Sequence, residues 1–376
     1  MKVIGIVTEY NPFHNGHLYQ INKIKEMFPD SLIIIAMSSH YTQRGEISIM
    51  NKWNKTQLAL QNKVDIVLEI PFVFTNQSAD TFAYAALKLL SKMKIDALVF
   101  GSESANKDKL YKASIVQINN KDFDEKVKSY MMKGENYPTS LYKATLDLTA
   151  IDIKGSNDIL AISYIKEIIK NNYKIDILPI KRTNEFKSLE EENSILSAYA
   201  IRERIKNNKE VNRFAPYDLN KYIENINYDK LFNILKYKIV SEKNELTKYN
   251  LVDEGIEKRL YESALKSNNL SELIENTKTK RFTYNRINRI LINIFTNSTK
   301  EKLSSFKVLE YIRVLGLSKN GQDYLNKIKK YIDLPLYTKF ERNNMLLEEF
   351  KVTNLYDLIS NNNLREREIK EHVILL

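Results

Sequence analysis

The sequence contains no cysteine. This absence excludes disulfide bonds, zinc sites built on thiolates and catalysis by a cysteine nucleophile. The sequence also lacks any apolar run close to the roughly 20 residues that a membrane-spanning helix needs. Met1 and Lys2 lead straight into a short apolar segment, without the pattern of a secretory signal. We therefore expect a cytoplasmic protein that has no membrane partner.

Length, composition and charge describe an ordinary globular protein. The 376 residues, 43% hydrophobic and 28% charged, are enough for about two domains. The net charge is +11, of which +5 lies before Pro216 and +6 after it. Such an excess favours a polyanionic partner such as nucleic acid. An AT-rich genome, which enriches lysine, asparagine and isoleucine, is the alternative explanation.

Histidine is scarce, and two of the four histidines lie in one motif. The segment Val3–His17 (VIGIVTEYNPFHNGH) is typical of a strand, a polar turn and the start of a helix. The first turn of a helix has unpaired N–H groups and a positive dipole end, so it is a natural phosphate site. Gly16 leaves space for a ligand beside the backbone. His14 and His17 could both donate to a triphosphate during nucleotidyl transfer.

His-x-Gly-His is the signature of a superfamily of adenylyl-transferring enzymes that includes class I aminoacyl-tRNA synthetases and small nucleotidyltransferases. Here it follows the first strand and begins the first helix, which is the context that the signature requires. This favours nucleotide binding. The alternatives are a pair of surface histidines at a helix start, or a metal site.

Apolar segments alternate with helical ones through the first half of the chain. The predicted strands are Val3–Val7, Leu32–Met37, Asp65–Ile70, Ala97–Phe100 and Ile175–Ile180. This alternation predicts an α/β fold with a Rossmann-like parallel sheet and crossover helices. Ligands bind such sheets beyond the carboxyl ends of the strands. We therefore expect one crevice, formed by Thr8–His17, Ser38–Glu46, Pro71–Gln77 and Gly101–Glu103.

Three later positions are further candidates for ligand binding. Asn157 or Asp158 should cap the helix that follows it. Arg182 comes at a strand end, where it would suit phosphate, although a solvated loop is the alternative. Ser197 should cap a helix that carries Arg202. This pair is either a second phosphate-binding element or a simple cap beside a solvated arginine.

Beyond Pro216 the alternation stops, and the remaining residues have a helical pattern interrupted by breaks. We predict a nucleotidyltransferase domain of residues 1–213 and a helical domain of residues 214–376. Within the latter, Lys278–Arg289 (KTKRFTYNRINR) holds five basic residues and no acidic one. Arg286 and Arg289 should point away from the apolar helix face. Exposed arginines beside aromatic rings suit RNA; a solvated outer face is the alternative.

Taken together, eight segments spanning nearly the whole chain resemble the bacterial tRNA(Met) cytidine acetate ligase family. They are GIVTEYNPFHNGH (5–17), QRGE with KW (43–46, 52–53), DIVLEIPF with QSADTFA (65–83), FGSE (100–103), SNDILAISY (156–164), IKRTN (180–184), SAYAIR (197–202) and KRFTYNRINR (280–289). So many ordered motifs are far more specific than His-x-Gly-His alone.

The resemblance implies an ATP-dependent reaction in two steps. Acetate attacks the α-phosphate of ATP and gives acetyl-adenylate and pyrophosphate. The acetyl group then passes to N4 of the wobble cytidine in elongator tRNA(Met), which gives N4-acetylcytidine. Mg²⁺ is expected as a counter-charge to the phosphates, held largely by ATP oxygens and water. Glu9 or Glu103 could support it, but neither is assigned as a direct ligand.

The resemblance also implies the site residues. His14 and His17 should be catalytic. The predicted ATP site comprises Val7, Thr8, Glu9, Tyr10, Asn11, Pro12, Phe13, His14, Asn15, Gly16, His17, Leu18, Tyr19, Gln20, Gly101, Asn157, Arg182, Thr183 and Ser197. The basic stretch supplies the predicted RNA-binding residues Lys280, Arg281, Arg286 and Arg289. Related nucleotidyltransferases usually carry more hydroxyl groups in the segment that matches Ser197–Arg202, which makes the phosphate role of this segment less secure.

Two other functions account for parts of the sequence. A small-molecule adenylyltransferase explains the first 200 residues or so but gives the basic helical part no role. A non-catalytic RNA-binding protein on the same fold explains the basic part. The presence of both motif histidines, Gly16, Asn157 and Arg182 argues against such a loss of catalysis.

Overall fold

A mixed β-sheet forms the centre of the computed structural model, which describes residues 1–182 and 194–376. Within these residues the strands are β1 (Val3–Thr8), β2 (Leu32–Ser38), β3 (Ile66–Ile70), β4 (Ala97–Ser102), β5 (Asp176–Lys181), β6 (Ile312–Leu317), β7 (Leu336–Tyr337) and β8 (Ile374–Leu375). Their order is β5-β4-β1-β2-β3-β6-β7, and β8 also pairs with β6. Neighbours among β1 to β5 run parallel, as predicted.

Helices cover both faces of the sheet and form most of the chain after residue 213. They are α1 (Asn15–Met27), α2 (Lys52–Gln61), α3 (Phe72–Thr75), α4 (Ala79–Lys92), α5 (Lys107–Asn119), α6 (Phe123–Met132), α7 (Tyr137–Thr149), α8 (Ser156–Lys170), α9 (Ala198–Lys206), α10 (Tyr228–Ser241), α11 (Ile256–Lys266), α12 (Leu270–Thr277), α13 (Tyr284–Phe295), α14 (Lys300–Ser305), α15 (Lys319–Ile328), α16 (Asn344–Ser360) and α17 (Leu364–Lys370). Among the described residues, none of them is both long and apolar enough to cross a lipid bilayer.

Hydrophobic side chains on the two faces of the sheet form two separate cores. All seven residues of β2 are buried, which explains its continuous apolar sequence, since helices cover both sides. Ile34 packs into one core and Ile33 into the other, because successive side chains of a strand point to opposite faces. A third core joins α10 to α13 with Trp53 and Phe72 from the first half of the chain. The helical part therefore shares a core with the sheet part.

Residues 214–376 are not helical throughout, which corrects the sequence-based expectation. Strand β6 pairs antiparallel with β3, with Val314 opposite Leu68 and Arg313 opposite Glu69. The segment Ile312–Leu317 is apolar except for Arg313, and such a short segment fits a buried strand or a buried helical segment equally well. Contact with the distant β3 decides between them. The proposed division between residues 213 and 214 stays a prediction.

A buried cluster of charges joins the sheet to the C-terminal helices. Lys52 Nζ lies 2.6 Å from a carboxylate oxygen of Glu69 and 2.7 Å from one of Glu368. Arg313 pairs with the same two carboxylates. Glu349 accepts a 2.7 Å hydrogen bond from the backbone N–H of Phe72. Buried charges are costly unless partners surround them, so the cluster specifies how α16 and α17 sit against the sheet.

Candidate active site

A cleft of about 200 Å³ lies beyond the carboxyl ends of β1, β4 and β5, where the sequence places the ligand. The predicted residues that line it are Val7, Thr8, Glu9, Tyr10, Asn11, His14, Gly16, His17, Tyr19, Gln20, Gly101, Asn157, Arg182 and Ser197. The lining does not include Pro12, Phe13, Asn15 and Leu18. Phe13 is in the core, and Asn15 donates to the carbonyls of Ser194 and Arg213. Thr183 lies outside the described residues.

The two motif histidines cap the first helix. His14 is the N-cap residue of α1, and its Nδ1 accepts from the Gly16 N–H at 3.0 Å. His17 Nδ1 accepts from the His14 N–H at 3.2 Å. A neutral imidazole that accepts at one nitrogen carries its proton on the other, so Nε2 of each ring is a donor. The predicted strand, turn and helix start are confirmed, with the histidines themselves as the cap.

Both imidazoles are neutral at physiological pH. Burial lowers the pKa of His14 to about 3, and the positive charges of Arg182 and Arg202 act in the same direction. Burial also lowers the pKa of His17 well below its usual value, and the neighbouring His14 and Arg182 lower it further. The alternative of two surface histidines is wrong for His14, which is buried. The pair offers two neutral N–H donors inside a positively charged surrounding.

The second helix start of the cleft is held by the loop after β4. Glu103 accepts from the backbone N–H groups of Asn157 at 3.1 Å and Asp158 at 2.9 Å. Asp158 in turn accepts from the N–H groups of Glu103 and Ser104. The prediction that Asn157 or Asp158 caps α8 is therefore wrong, because Glu103 takes that role from 54 residues upstream. This exchange fixes Gly101 and Asn157 at one side of the cleft.

Arginines supply positive charge around the cleft. Arg182 packs on Gly101, since a Cβ atom added at Gly101 would lie 3.3 Å from Cγ of Arg182. Burial lowers the Arg182 pKa, and the nearby Glu103 carboxylate opposes that shift. Arg44 also lines the cleft and donates to the Ser156 hydroxyl at 3.3 Å. Two guanidinium groups and the histidine pair at the start of α1 thus face one space, an arrangement that suits phosphate oxygens.

Arg202 closes the cleft at the start of α9. Ser197 caps this helix as predicted, accepting from the Ala200 N–H at 3.1 Å. Arg202 is not solvated, because it donates to the Asn11 carbonyl at 2.7 Å and to Glu46 at 2.7 Å. The alternative of a cap beside a solvated arginine is therefore wrong. Arg202 ties the histidine loop to the loop after β2.

Comparisons with known proteins agree with this geometry. The sequence pattern of the HIGH Nucleotidyl Transferase family matches residues 1–372. Curated tRNA(Met) cytidine acetate ligases from Caldicellulosiruptor saccharolyticus and Thermosipho africanus are 35% and 37% identical to this chain, over 376 and 374 residues. These alignments cover 95% and 93% of this chain and 94% and 87% of the two relatives. This chain belongs to the tRNA(Met) cytidine acetate ligase family.

Solved structures agree with this family assignment. Thermotoga maritima TmcAL in its apo form is similar over all of both chains, with a TM-score of 0.91 and 28% identity. The same protein bound with alpha-thio ATP has a TM-score of 0.88 over all of both chains. The predicted family resemblance and the α/β fold class are confirmed.

Sequence reasoning did not predict the structural role of Glu9 and missed Lys55, and these two residues hold the histidine loop of this family member in place. Glu9 accepts from the Gln43 N–H at 2.7 Å, and burial raises the pKa of its carboxyl group. Lys55 Nζ donates to the carbonyls of Glu9 at 3.0 Å and Ser38 at 2.8 Å. Burial lowers the pKa of Lys55 to about 7. The available signal was a lysine in the helix that follows the QRGE segment.

One predicted wall of the cleft lies elsewhere. Residues 71–77 do not line the cleft; instead they contact the C-terminal helices. Asn76 donates to the carbonyl of Arg289 and to the side chain of Asn293. Gln43, in contrast, lines the cleft and donates to the Gln77 carbonyl at 3.0 Å. Residues 71–77 therefore support the QRGE loop without lining the cleft.

Lys280 and Arg281, near the start of the basic stretch, are exposed cations. Lys280 is 68% exposed and pairs with Glu135 at 3.1 Å. Arg281 is 52% exposed and pairs with Glu254 at 3.1 Å. Single exposed ion pairs of this kind are weak, so both groups remain available to a polyanion.

The two later arginines are less accessible than predicted. Arg286 pairs with Asp253 at 2.7 Å and with Glu254 at 3.0 Å. Arg289 is half-buried, its Nε has no hydrogen-bond partner among the described residues, and burial lowers its pKa to about 10. The burial of Arg289 is explained by Gly45 of the QRGE loop, because this loop packs directly on the backbone of α13 at Arg289. The expectation that both arginines project into solvent is corrected.

Proposed function

We propose that the chain is an ATP-dependent acetate ligase that acetylates N4 of the wobble cytidine in elongator tRNA(Met). In the first step an acetate oxygen bonds to the α-phosphorus of ATP, and the bond to the bridging oxygen breaks. Pyrophosphate leaves with the electron pair. In the second step the cytidine N4 bonds to the acetyl carbon, AMP leaves, and the amino group loses one proton to solvent.

The observation that carries the proposal is the pair of neutral Nε2–H donors at the start of α1. The α-phosphoryl oxygens gain charge as acetate attacks, and donors fixed in advance stabilise that charge without reorganisation. Arg182 and Arg44 bind the phosphates and hold ATP in line with acetate. The cleft therefore contributes position and charge stabilisation rather than a covalent intermediate.

Acetate needs a place beside the α-phosphate. Phe100, Leu160 and Tyr164 form an apolar side of the same cleft. We assign the acetate methyl group to this side, because its carboxylate can then face the cationic groups opposite. Burial of one methyl group is worth about 1 kcal/mol, enough to favour acetate over formate by several-fold.

Mg²⁺ is proposed to arrive with the ATP phosphates. Among the described residues, no three His, Asp or Glu side chains are arranged to hold a metal ion. Glu103 is occupied by the N–H groups of α8, and Glu9 by that of Gln43. The described side chains thus do not build a cage for the ion, and no chemical step is assigned to it.

The tRNA is proposed to lie across the start of α13, in the cytoplasm where tRNA acts. Lys280 and Arg281 are exposed there and suit phosphate oxygens. Further along the same helix, Asn288 and Arg289 contact Gly45 of the QRGE loop, and other residues of this loop line the cleft.

Pyrophosphate exchange into ATP tests the proposal directly. We expect exchange that requires acetate, and transfer of labelled acetyl to tRNA(Met) in the presence of ATP. Exchange driven by a cofactor precursor instead of acetate would establish the small-molecule adenylyltransferase. Binding of tRNA without any exchange would establish the non-catalytic RNA-binding protein.

A further inference from the structure

A second cavity of about 700 Å³ lies beside the cleft. It is bounded by the loop 45–49, α9, α10, α12 and α13. Its volume is within the range of about 300–1,000 Å³ that small-molecule sites have. It is larger than the cleft, yet the histidine motif contributes nothing to it. It therefore has room for a second reactant.

The two spaces have one ion pair in common in their linings. Glu46 and Arg202 line both of them and pair at 2.7 Å. Arg202 also donates to the Asn11 carbonyl in the histidine loop. A group that reaches Glu46 from the second cavity is thus one side chain away from the cleft.

Helix α13 connects this second cavity to the exposed basic stretch. Tyr284, Asn288, Leu291 and Ile292 line the cavity. Residues three and four apart share one face of a helix, so α13 turns a non-basic face inward. Lys280 and Arg281 lie just before this helix on the surface. An RNA chain held there by its phosphates can turn a base inward.

The lining suits a nucleobase better than a phosphate. Arg202 and Lys206 are outnumbered by Glu46, Glu224 and Asp229. Tyrosines stand at the first positions of α10 and α13, and asparagines lie between apolar residues. Aromatic faces stack on unpaired bases, and amide groups bond to base edges.

We propose that the second cavity receives the target nucleoside of the RNA, a cytidine turned out of its loop. Its ring contacts Tyr228, and its exocyclic amino group donates to the Glu46 carboxylate. This assignment rests on the proposed function, because acyl transfer needs the amino nitrogen within about 3–3.5 Å of the acyl carbon. The shared ion pair is the place where the two reactants meet.

The test uses two variants and a matched control. Tyr228→Ala removes the stacking ring, and Ser271→Trp fills the cavity from the second residue of α12. Tyr237→Ala is the control, since Tyr237 is on α10 but 73% exposed, outside the cavity. Acetyl transfer is measured with the anticodon stem-loop of tRNA(Met), and adenylation is measured separately as acetate-dependent pyrophosphate exchange.

We expect Tyr228→Ala to raise the KM for RNA by about 5- to 100-fold, the range for one lost base stack. Ser271→Trp should lower transfer kcat/KM at least as much, while exchange stays near wild type and Tyr237→Ala behaves as wild type. Wild-type transfer in both variants would overturn the assignment. So would a parallel loss of exchange, because the cavity would then serve adenylation. Failure of exchange in the wild type would instead refute the proposed function.

Discussion

The two imidazoles of the cleft are oriented by backbone N–H groups rather than by acidic side chains. Each Nδ1 accepts from the backbone, so each Nε2 keeps its proton. A carboxylate partner would favour imidazolium and raise the pKa, whereas burial here lowers it. The site thus keeps its donors uncharged while arginines supply the positive charge.

Replacing His17 with alanine should therefore slow adenylation more than it weakens ATP binding. We expect acetate-dependent pyrophosphate exchange to fall by roughly 10²–10³, the scale for one lost fixed donor. The dissociation constant of ATP should change far less. His372→Ala is the matched control, because this exposed histidine lies far from the motif in sequence. Normal exchange in His17→Ala would remove the residue from the catalytic assignment.

The low pKa of His14 also predicts acid sensitivity. The unfolded chain protonates this group near pH 6.5 and the folded chain near pH 3, so between these values the unfolded chain binds more protons. The free energy of unfolding is unaffected by His14 above pH 6.5 and falls below it, by up to about 1.4 kcal/mol per pH unit.

Urea unfolding between pH 4.5 and 8 measures this slope. His14→Gln should flatten it by close to one proton. His17 and His40, whose pKa values burial also lowers, contribute to the slope that remains, whereas the raised carboxyl pKa values of Glu9 and Glu349 oppose it. An identical slope in His14→Gln and wild type would contradict the low pKa.

Single elements of the fold were predictable where their signal was local. The five parallel strands, α1 and the Ser197 cap each depend on residues within a few positions. The Glu103 cap, the Arg202–Glu46 pair and β6 depend on residues 54 to about 250 apart, which no local pattern reports. Arg289 was predicted wrongly for the same reason. Helical periodicity predicts the side of the helix on which Arg289 lies, but it does not predict that the QRGE loop covers this side chain.

The contact between the QRGE loop and α13 predicts a specific intolerance. Gly45 has φ of +75° and Gly134 has φ of +85°, so alanine costs about 1–2 kcal/mol of backbone strain at either position. At Gly45 the new Cβ would also lie 2.3 Å from the Arg289 nitrogen, whereas nothing lies within 4 Å at Gly134. Gly45→Ala should therefore lower the unfolding free energy by about 1–3 kcal/mol more than Gly134→Ala does. Equal losses in the two variants would mean that the loop does not pack there.

The exposed start of the basic stretch carries its own prediction. Exchanging Lys280 and Arg281 for glutamate should weaken tRNA binding and reduce its salt dependence, because phosphate contacts act through counterion release. Lys319→Glu with Lys370→Glu is the control, since both lysines are exposed outside the stretch. Binding titrations at two salt concentrations measure the effect. Equal weakening in both double variants would indicate net charge alone rather than a defined surface.

At the scale of the whole molecule, the buried charge cluster holds the C-terminal helices to the sheet. Arg313→Met leaves Glu69 and Glu368 to share Lys52, so we expect the unfolding free energy to drop by about 3–5 kcal/mol. Lys248→Met breaks a surface pair with Glu242 and Glu245 and should cost no more than about 1 kcal/mol. Chemical denaturation compares the two. A loss at Arg313 as small as that at Lys248 would mean that the cluster does not hold the two parts together.

The pairing of β3 with β6 has a consequence for synthesis of the chain. The ribosome completes β3 at residue 70, but its outer neighbour ends only at residue 317. At about 5–20 residues per second, the apolar edge of β3 waits roughly 12–50 s for its partner. An open strand edge is a template for pairing with other chains. A nascent chain therefore exposes this edge for most of its translation, and any product that terminates before β6 keeps an aggregation-prone edge.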